Sequence, residues 1–239
     1  AMGQMFYSLS IAMGILITFG SYMKKETSLE DSTRNVEVFD TAIAIMAGLM
    51  IIPAVFAFSG GDPDTLQAGP ALMFITIPKV FENMGFGTVV GILFFLLVLF
   101  AAVTSSIALT ESAVATFEDE LGWSRRRATV LVGVIMIALG SLSSLGYGPL
   151  AGIKIIGMQF LDFFDFLTNS VMMPIAAMLT SLFVSRIVGM KRMEEEIMHG
   201  ESTFRRKKIF IVMIKYLCPV FALIILISSV ANAFGWIAM

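Results

Sequence analysis

A stripe of small and hydroxyl-bearing residues interrupts a long apolar segment of this 239-residue chain. Ala101, Thr104 and Ser105 are spaced i, i+3 and i+4, so a helix places them on one face. Inside a bilayer, lipid chains cannot hydrogen-bond to hydroxyl groups, whereas a cation or a polar solute can bind to them. Hydroxyl and carbonyl oxygens suit a hard monovalent ion such as sodium. The spacing therefore predicts half of an ion site.

The polar stripe continues toward one end of the same segment. Thr104 and Glu111 are seven residues apart and so lie on nearly one face, and Asp119 follows about 21 Å beyond Ser105 at ~1.5 Å per residue. A carboxyl group inside a membrane span is costly unless it meets a partner or water. We therefore expect Glu111 to have an internal partner.

The composition is that of a membrane protein. Hydrophobic residues make up 57% and charged residues 14%, and the mean hydropathy is +0.89. Soluble domains are nearer ~45–50% apolar and ~25% charged. Six apolar runs reach or approach the ~20 residues that a spanning helix needs. They cover residues 2–23, 38–59, 86–117, 128–145, 163–188 and 209–230.

The basic residues predict the orientation, because short cytoplasmic loops collect lysine and arginine. The loops after runs one, three and five are basic, whereas the opposite loops hold only Lys79 and Lys154. Both chain ends are therefore expected to face outward. With no signal peptide before the first run, we expect the chain to be the back portion of a longer membrane protein.

Several functional classes are disfavoured by composition. The one cysteine, Cys218, allows no internal disulfide, and with the one histidine, His199, it offers no Cys/His metal spacing. Cys218 is interpreted as helix packing beside Pro219, and His199 as a solvated loop residue. The expected partners are membrane lipid, which the basic loops can touch, and not nucleic acid.

Two local features leave alternatives open. The serines and small residues of 8–14 fit either a broken helix that presents backbone groups or ordinary close packing of helices. Asp40, at the opening of the second run, is either an interfacial cap or a buried ligand.

Three further segments carry simpler expectations. Segment 60–85, with its Gly and Pro residues, is predicted to form a re-entrant hairpin or lid. Pro174 is expected to bend the fifth run. Residues 190–208 are predicted to form an amphipathic surface helix.

Segments 3–10, 69–78, 100–108 and 117–121 together resemble the neurotransmitter:sodium symporter family, and most closely its bacterial branch for multiple hydrophobic amino acids. The resemblance implies an all-α membrane protein: helices six to eleven of a leucine-transporter-like inverted-repeat fold with a discontinuous first helix. It implies that residues 1–188 form the second inverted repeat and residues 189–239 an amphipathic cytoplasmic loop plus the last helix.

The resemblance also implies roles for individual residues. One sodium site would include Ser8 and Asp40, and the other Ala101, Thr104 and Ser105. The positions implied for the substrate pocket are Tyr7, Ser8, Ser10, Met13, Ser105 and Leu109. Asp165 matches the outer-gate acid, Tyr22 and Asp119 match the inner gate, and Gln4 matches a glutamine beside the chloride region.

Two departures limit what the family implies. Ala44 stands where chloride-dependent relatives have serine, so chloride use stays open and Asp40 is an alternative source of negative charge. In the family, helix one completes both sodium sites and binds the amino and carboxyl groups of the substrate. Helices one to five of the same transporter are therefore expected partners.

The function implied is a sodium-coupled symporter that imports hydrophobic amino acids by alternating access in the bacterial cytoplasmic (inner) membrane. An intramembrane enzyme using Asp40, Glu111 or Asp165 is a weaker alternative, because no Gly-x-Gly-Asp pair, His-Glu-x-x-His run or nucleophile elbow is present. A channel or passive subunit, in which the hydroxyl stripe only packs helices, is a third. Sodium-dependent substrate binding would separate the symporter from both.

Overall fold

The computed structural model describes residues 8–58, 70–200 and 203–234. In these ranges five helices are long and apolar enough to cross a membrane: Leu29–Ala57, Gly87–Leu121, Arg125–Leu145, Phe160–Val188 and Lys207–Ala233. They confirm the second to sixth predicted runs. The first run begins within residues 1–7, outside the described residues. The structure is all-α, as expected, and its one β-bridge in the described part joins Ile155 and Met158.

We number the α-helices in chain order. They are α1 Ile15–Ser21, α2 Leu29–Phe58, α3 Ile77–Glu82, α4 Gly87–Leu121, α5 Arg125–Leu145, α6 Phe160–Asp165, α7 Met173–Phe183, α8 Met190–Ile197, α9 Lys207–Val212 and α10 Cys218–Ala233. Helices α6 and α7 belong to one span, and α9 and α10 to another.

Three π-helical turns precede proline residues. Leu72–Thr76, Phe166–Met172 and Met213–Leu217 each lead into an α-helix whose second residue is Pro78, Pro174 or Pro219. Proline has no N–H to donate, and its ring clashes with the carbonyl four residues earlier. A wider π turn relieves that clash without ending the helix. The irregularity expected at Pro174 therefore lies in the turn before it.

The chain breaks its helical path before α1. Leu9 to Gly14 are not helical, and Ser10, Ala12 and Gly14 have φ of 53°, 63° and 78°. This left-handed region costs a non-glycine residue about 1–2 kcal/mol. Of the two interpretations of segment 8–14, the broken helix is confirmed, and with it the discontinuous first helix.

Helix α2 begins well before the predicted second run. It starts at Leu29, where Ser28 Oγ accepts a hydrogen bond from the backbone N–H of Asp31 at 3.0 Å. Ser28 therefore caps the helix. Asp40 lies more than two turns inside α2 and is half-buried, so its interpretation as a cap is wrong.

Helix α4 has 35 residues, or about 52 Å at 1.5 Å per residue, which exceeds the ~30 Å hydrocarbon core. It is therefore long enough to project from the membrane. Gly122, at φ 62°, follows its last residue, and Trp123 then stacks on Phe117 with ring centroids 5.5 Å apart. This left-handed ending turns α5 back alongside α4, where Val114, Ala128 and Val132 form a buried cluster.

The two long connections between the membrane-spanning helices agree only in part with the predictions. Segment 60–85 includes residues 60–69, which lie outside the described range, followed by a π turn and α3. Segment 190–208 contains the short helix α8 and a 3₁₀ turn, Met198–Gly200, instead of one continuous surface helix. Glu194 of α8 forms an ion pair with Lys207 at the start of α9.

The chain divides into two compact units. Unit 1 takes its residues from Ala1–Arg34 and Ala108–Met239, and unit 2 is Asn35–Ile107. The predicted boundary between residues 188 and 189 stays a prediction, because an inverted repeat is defined by its relation to a first repeat and not by compactness.

Candidate functional site

The hydroxyl stripe lies in unit 2 on α4. Ala101, Thr104 and Ser105 are all exposed. Thr104 Oγ1 lies 3.1 Å from the carbonyl oxygen of Phe100 and 3.0 Å from that of Ala101. A hydroxyl has one hydrogen to donate and two lone pairs, so donation to the backbone leaves oxygen lone pairs for a cation. The stripe therefore offers the oxygen lone pairs that a sodium ion requires of its ligands.

The carboxylate and the hydroxyl assigned to the other sodium site lie in different units. Asp40 belongs to unit 2, where it is half-buried within α2, and Ser8 belongs to unit 1, where it is exposed. In the described residues no group of three or more His, Cys, Asp or Glu side chains could hold a metal ion. The predicted ligands are therefore the single carboxylate of Asp40 and the hydroxyl or carbonyl oxygens of the other residues.

The broken segment before α1 is held against α4 within unit 1. Ser112 Oγ donates to the carbonyl oxygen of Met13 at 3.3 Å, and Ser112 is only 6% exposed. A Cβ on Gly14 would lie 2.7 Å from Ser112 Oγ. Glycine is thus needed at position 14 both for its positive φ and for this close approach.

The described residues of unit 1 that were predicted to line the substrate pocket lie near this contact in sequence. Ser10 and Met13 are half-buried in the broken segment. Leu109 lies three residues before Ser112 and therefore on the same face of α4. Tyr7 and Gln4 lie outside the described residues. Sequence reasoning missed Ser112, although a serine inside the apolar α4 was a signal for it.

A hydrogen-bonded network joins the end of α1 to α4 and α5. The Tyr22 hydroxyl donates to Glu111 Oε1 at 2.7 Å, and Arg125 Nη2 donates to Glu111 Oε2 at 2.5 Å. Arg125 Nη1 also lies 3.3 Å from Glu118 Oε2. The Arg125 side chain is 59% exposed and that of Glu111 only 18%. Glu111 thus has the partners expected of a carboxylate in a span.

Local structure explains why Arg125 reaches back to α4. The turn at Gly122 ends α4, and Arg125 is the first residue of α5, so its long side chain spans the gap between the two helices. Asp119 is exposed, and the Tyr22 phenol contacts Glu111 two turns earlier. Sequence reasoning found Glu111 and Tyr22 but not Arg125. The assignment of Tyr22 and Asp119 to an inner gate stays a prediction.

The two acidic residues of α6, Asp162 and Asp165, interact with different neighbours. Asp165 Oδ1 accepts a hydrogen bond from Asn169 Nδ2, one turn later, so the predicted gate carboxylate is oriented by its own helix. Burial, and then the charge of Asp162, raise the pKa of Tyr147 above its usual value. The Tyr147 phenol therefore stays protonated at neutral pH.

A family model and individual known proteins agree in what this chain resembles. Residues 1–235 match the sodium:neurotransmitter symporter family. An uncharacterized sodium-dependent transporter of Haemophilus influenzae is 33% identical over 229 residues, which are 95% of this chain and 49% of that protein. YhdH of Bacillus subtilis, also described as an uncharacterized sodium-dependent transporter, is 33% identical over 202 residues, or 84% of this chain and 44% of that protein.

A solved structure supports the fold. The crystal structure of MhsT in complex with L-phenylalanine matches with a TM-score of 0.85 and 37% sequence identity, and the match covers 95% of this chain and 50% of that one. The chain thus spans about half the length of the relatives it matches.

Proposed function

This chain belongs to the sodium:neurotransmitter symporter family, and we propose that it is the C-terminal part of a sodium-coupled symporter that imports hydrophobic amino acids. The observation that carries the proposal is the hydroxyl of Thr104, which donates to the backbone of its own helix. Its oxygen lone pairs, with the oxygens of Ala101 and Ser105, suit a sodium ion. Ser8 and Asp40 supply oxygens for a second ion.

We assign the substrate class from the side chains predicted to line the pocket. Tyr7, Met13 and Leu109 give it an apolar floor, which favours a bulky apolar side chain such as that of leucine, phenylalanine or tryptophan. MhsT, with its bound L-phenylalanine, supports this choice. The serines at 8, 10 and 105 are available for the polar end of the substrate.

The N-terminal helices one to five complete the transporter. This chain spans about half the length of its relatives, and helix one supplies the remaining ligands of both sodium sites. Five apolar helices make the protein a multi-pass membrane protein. We place it in the bacterial cytoplasmic membrane and leave chloride as an optional ion, because Ala44 removes one hydroxyl ligand.

Coupling follows from differential affinity. Sodium and substrate drive transport only if both bind one conformation more tightly than the other. We propose that they favour closure on the outer side, near Asp165. Release of sodium along the side of α4 from Thr104 to Asp119 then opens the inner path, where Tyr22 and Glu111 hold α1 against α4. The chemistry is binding and conformational change and not catalysis.

Equilibrium binding to the complete transporter in detergent tests the proposal. Tritiated tryptophan and leucine are titrated in sodium and, separately, in potassium at equal ionic strength. Saturable binding in sodium alone is the expected result. Binding that is equal in the two salts would contradict sodium coupling, and would favour the channel or enzyme alternatives.

Competition by unlabelled amino acids then tests the substrate class. Phenylalanine, leucine and tryptophan should displace the ligand, because the pocket floor is apolar. Lysine and glutamate should not, since a charged side chain would lose its hydration against that floor. Stronger displacement by lysine or glutamate would overturn the substrate assignment and leave the sodium result intact.

A further inference from the structure

A buried serine of α4 holds the broken segment that precedes α1. Ser112 is 6% exposed, and its hydroxyl donates to the carbonyl oxygen of Met13, 99 residues earlier in the chain, at 3.3 Å. The backbone N–H of Thr18 donates to the carbonyl oxygen of Gly14 at 2.9 Å and so starts the hydrogen-bond ladder of α1 one residue after Met13. The Met13 carbonyl therefore has Ser112, and not its own helix, as its partner.

Regular backbone bonding does not fix the position of this segment. Ala12 and Gly14, on either side of Met13, have φ of 63° and 78°, which neither an α-helix nor a β-strand contains. The place of the segment in the fold must therefore come from contacts with its surroundings. The Ser112 hydroxyl is such a contact, and Gly14 approaches it so closely that a Cβ would lie 2.7 Å away.

Free space lies on another side of the same segment. A cavity of about 440 Å³ within unit 1 is lined by residues from 10–17, 177–184 and 214–225. Met13 is the one residue of 10–14 that does not line it, and none of the described residues of α4 lines it. The broken segment thus has the cavity on one side and α4 on another. A segment released from α4 has room to move toward the cavity.

The cavity wall can accept a shifted backbone. Most of its lining is apolar, but Ser10 and Thr180 carry hydroxyls on it. A carbonyl group that loses the Ser112 hydroxyl needs such a donor, because an unsatisfied buried acceptor is costly. The third hydroxyl of the wall, that of Ser181, already donates to the carbonyl of Ile214.

Movement of Met13 relative to α4 would change the proposed substrate pocket. Leu109 lies three residues before Ser112 and on the same face of α4, and Met13 and Leu109 are both assigned to the apolar floor. The hydrogen bond from Ser112 keeps the backbone of Met13 at a fixed distance from that face. A methionine side chain is flexible and adapts to many shapes, so the depth of the floor depends on where its backbone is held.

We propose that Ser112 is a positioning residue that sets the depth of the side-chain pocket through the backbone of Met13. While the segment is held on α4, it limits the space for a bulky substrate. Without the hydrogen bond, the segment recedes toward the cavity and the floor becomes deeper. This inference rests on the proposed function, because the pocket is that of the proposed symporter.

Competition binding to the complete transporter in saturating sodium tests this role. Tritiated leucine is displaced by unlabelled leucine or tryptophan, and the ratio of the two half-maximal concentrations is compared between variants. Ser112→Ala should shift this ratio in favour of tryptophan by about two- to tenfold, the factor to which one net hydrogen bond corresponds. Ser112→Cys has a weaker donor of similar size and should shift the ratio in the same direction by less. A shift in favour of leucine would overturn the proposal.

Ser181→Ala is the matched control. Ser181 is also buried, at 4% exposure, and it also donates to the backbone carbonyl of another element, at Ile214. Its removal should lower stability in the same way and leave the ratio of leucine to tryptophan unchanged. An equal shift of the ratio in both variants would show that the ratio follows stability, and would overturn the proposal.

Two double variants test the route of the effect. In a Met13→Ala background, Ser112→Ala should no longer shift the ratio, because the effect passes through the Met13 side chain. Ala177→Leu narrows the cavity from the side of α7. Combined with Ser112→Ala, it should restore the wild-type ratio, since the segment can no longer recede. A shift that persists in either background would overturn the proposal.

Hydrogen–deuterium exchange without amino acid separates this proposal from the proposed function. Ser112→Ala should raise exchange in residues 10–17 several-fold, whereas Ser181→Ala should not. Unchanged exchange would overturn the role of Ser112 as an anchor. Raised exchange with a wild-type ratio would make Ser112 a structural anchor only, and would overturn the proposal while leaving the symporter intact. Absence of sodium-dependent binding in the wild type would instead overturn the proposed function, and this role with it.

Discussion

The phenol oxygen of Tyr22 lies 2.7 Å from Oε1 of Glu111, a residue 89 positions later in the chain. This contact fixes the end of α1 on α4, just as Ser112 fixes its beginning through the carbonyl of Met13. Because Arg125 holds the other oxygen of the same carboxylate, three elements meet at one side chain. Four predictions follow from these and related contacts.

The first concerns the coupling between Tyr22 and Glu111. Tyr22→Phe removes the donor, and Glu111→Gln removes the charge that Arg125 requires. We expect each variant to lower the Tm of the complete transporter, and the double variant to lower it by less than the sum, because both changes break one network. Thermal unfolding in detergent measures this.

The matched control pairs Tyr22→Phe with Glu118→Gln. Glu118 contacts Arg125 at 3.3 Å, whereas the phenol hydrogen bond goes to Glu111, so this pair should be closer to additive. Equal non-additivity in the two pairs would show that the phenol does not act through Glu111 specifically.

The second prediction concerns Gly14. Gly14→Ala should destabilise the transporter by about 1–2 kcal/mol from the positive φ alone, and by more because its Cβ would meet Ser112 Oγ. In a Ser112→Ala background the steric part disappears, so the penalty should be smaller. Chemical denaturation of the four proteins measures both terms.

Gly20→Ala is the control for Gly14→Ala. Gly20 lies within α1, and a Cβ there would meet nothing within 4 Å. Alanine favours a helix over glycine, so this variant should be neutral or stabilising. A penalty as large as that of Gly14→Ala would contradict the steric explanation.

The third prediction concerns the outer segment of unit 2. A Cβ on Gly87 would lie 1.6 Å from the carbonyl oxygen of Phe81, so Gly87→Ala must displace the backbone between α3 and α4. We expect a lower Tm and weaker amino acid binding in sodium. Gly85→Ala, two residues away, has open space for its Cβ and should bind normally.

The fourth prediction concerns the sodium stripe. Thr104→Val with Ser105→Ala should raise the sodium concentration for half-maximal amino acid binding about tenfold or more, equivalent to ~1.4 kcal/mol, with little change in Tm. Titration with sodium at saturating amino acid measures the shift.

The neighbouring Ser106 supplies the control for the stripe. Its hydroxyl donates to the carbonyl of Ala102 at 2.8 Å, and its removal by Ser106→Ala should leave the sodium dependence unchanged. Wild-type sodium dependence in the Thr104 and Ser105 double variant would remove these residues from the site.

The sequence alone determined the class of protein and most of its helices. Apolar runs of about 20 residues need no tertiary information, because the bilayer requires each span to satisfy its own backbone hydrogen bonds. The hydroxyl stripe of Thr104 and Ser105 was also evident, since a helix puts residues three and four apart on one face. The break at segment 8–14 was one of two interpretations, because small residues serve close packing as well as irregular backbone.

Only the tertiary structure decided which distant residues meet. The approach of Gly14 to Ser112 and the three-way contact at Glu111 depend on the left-handed turns at 10–14 and at Gly122, which no periodicity encodes. Asp40 is placed inside α2 because that helix, capped by Ser28, begins at Leu29, nine residues before the apolar run at 38–59. The apolar cavity beside Ser10 is likewise lined by three segments, 10–17, 177–184 and 214–225, that are distant in the sequence. Its shape depends on how these segments pack and not on their composition.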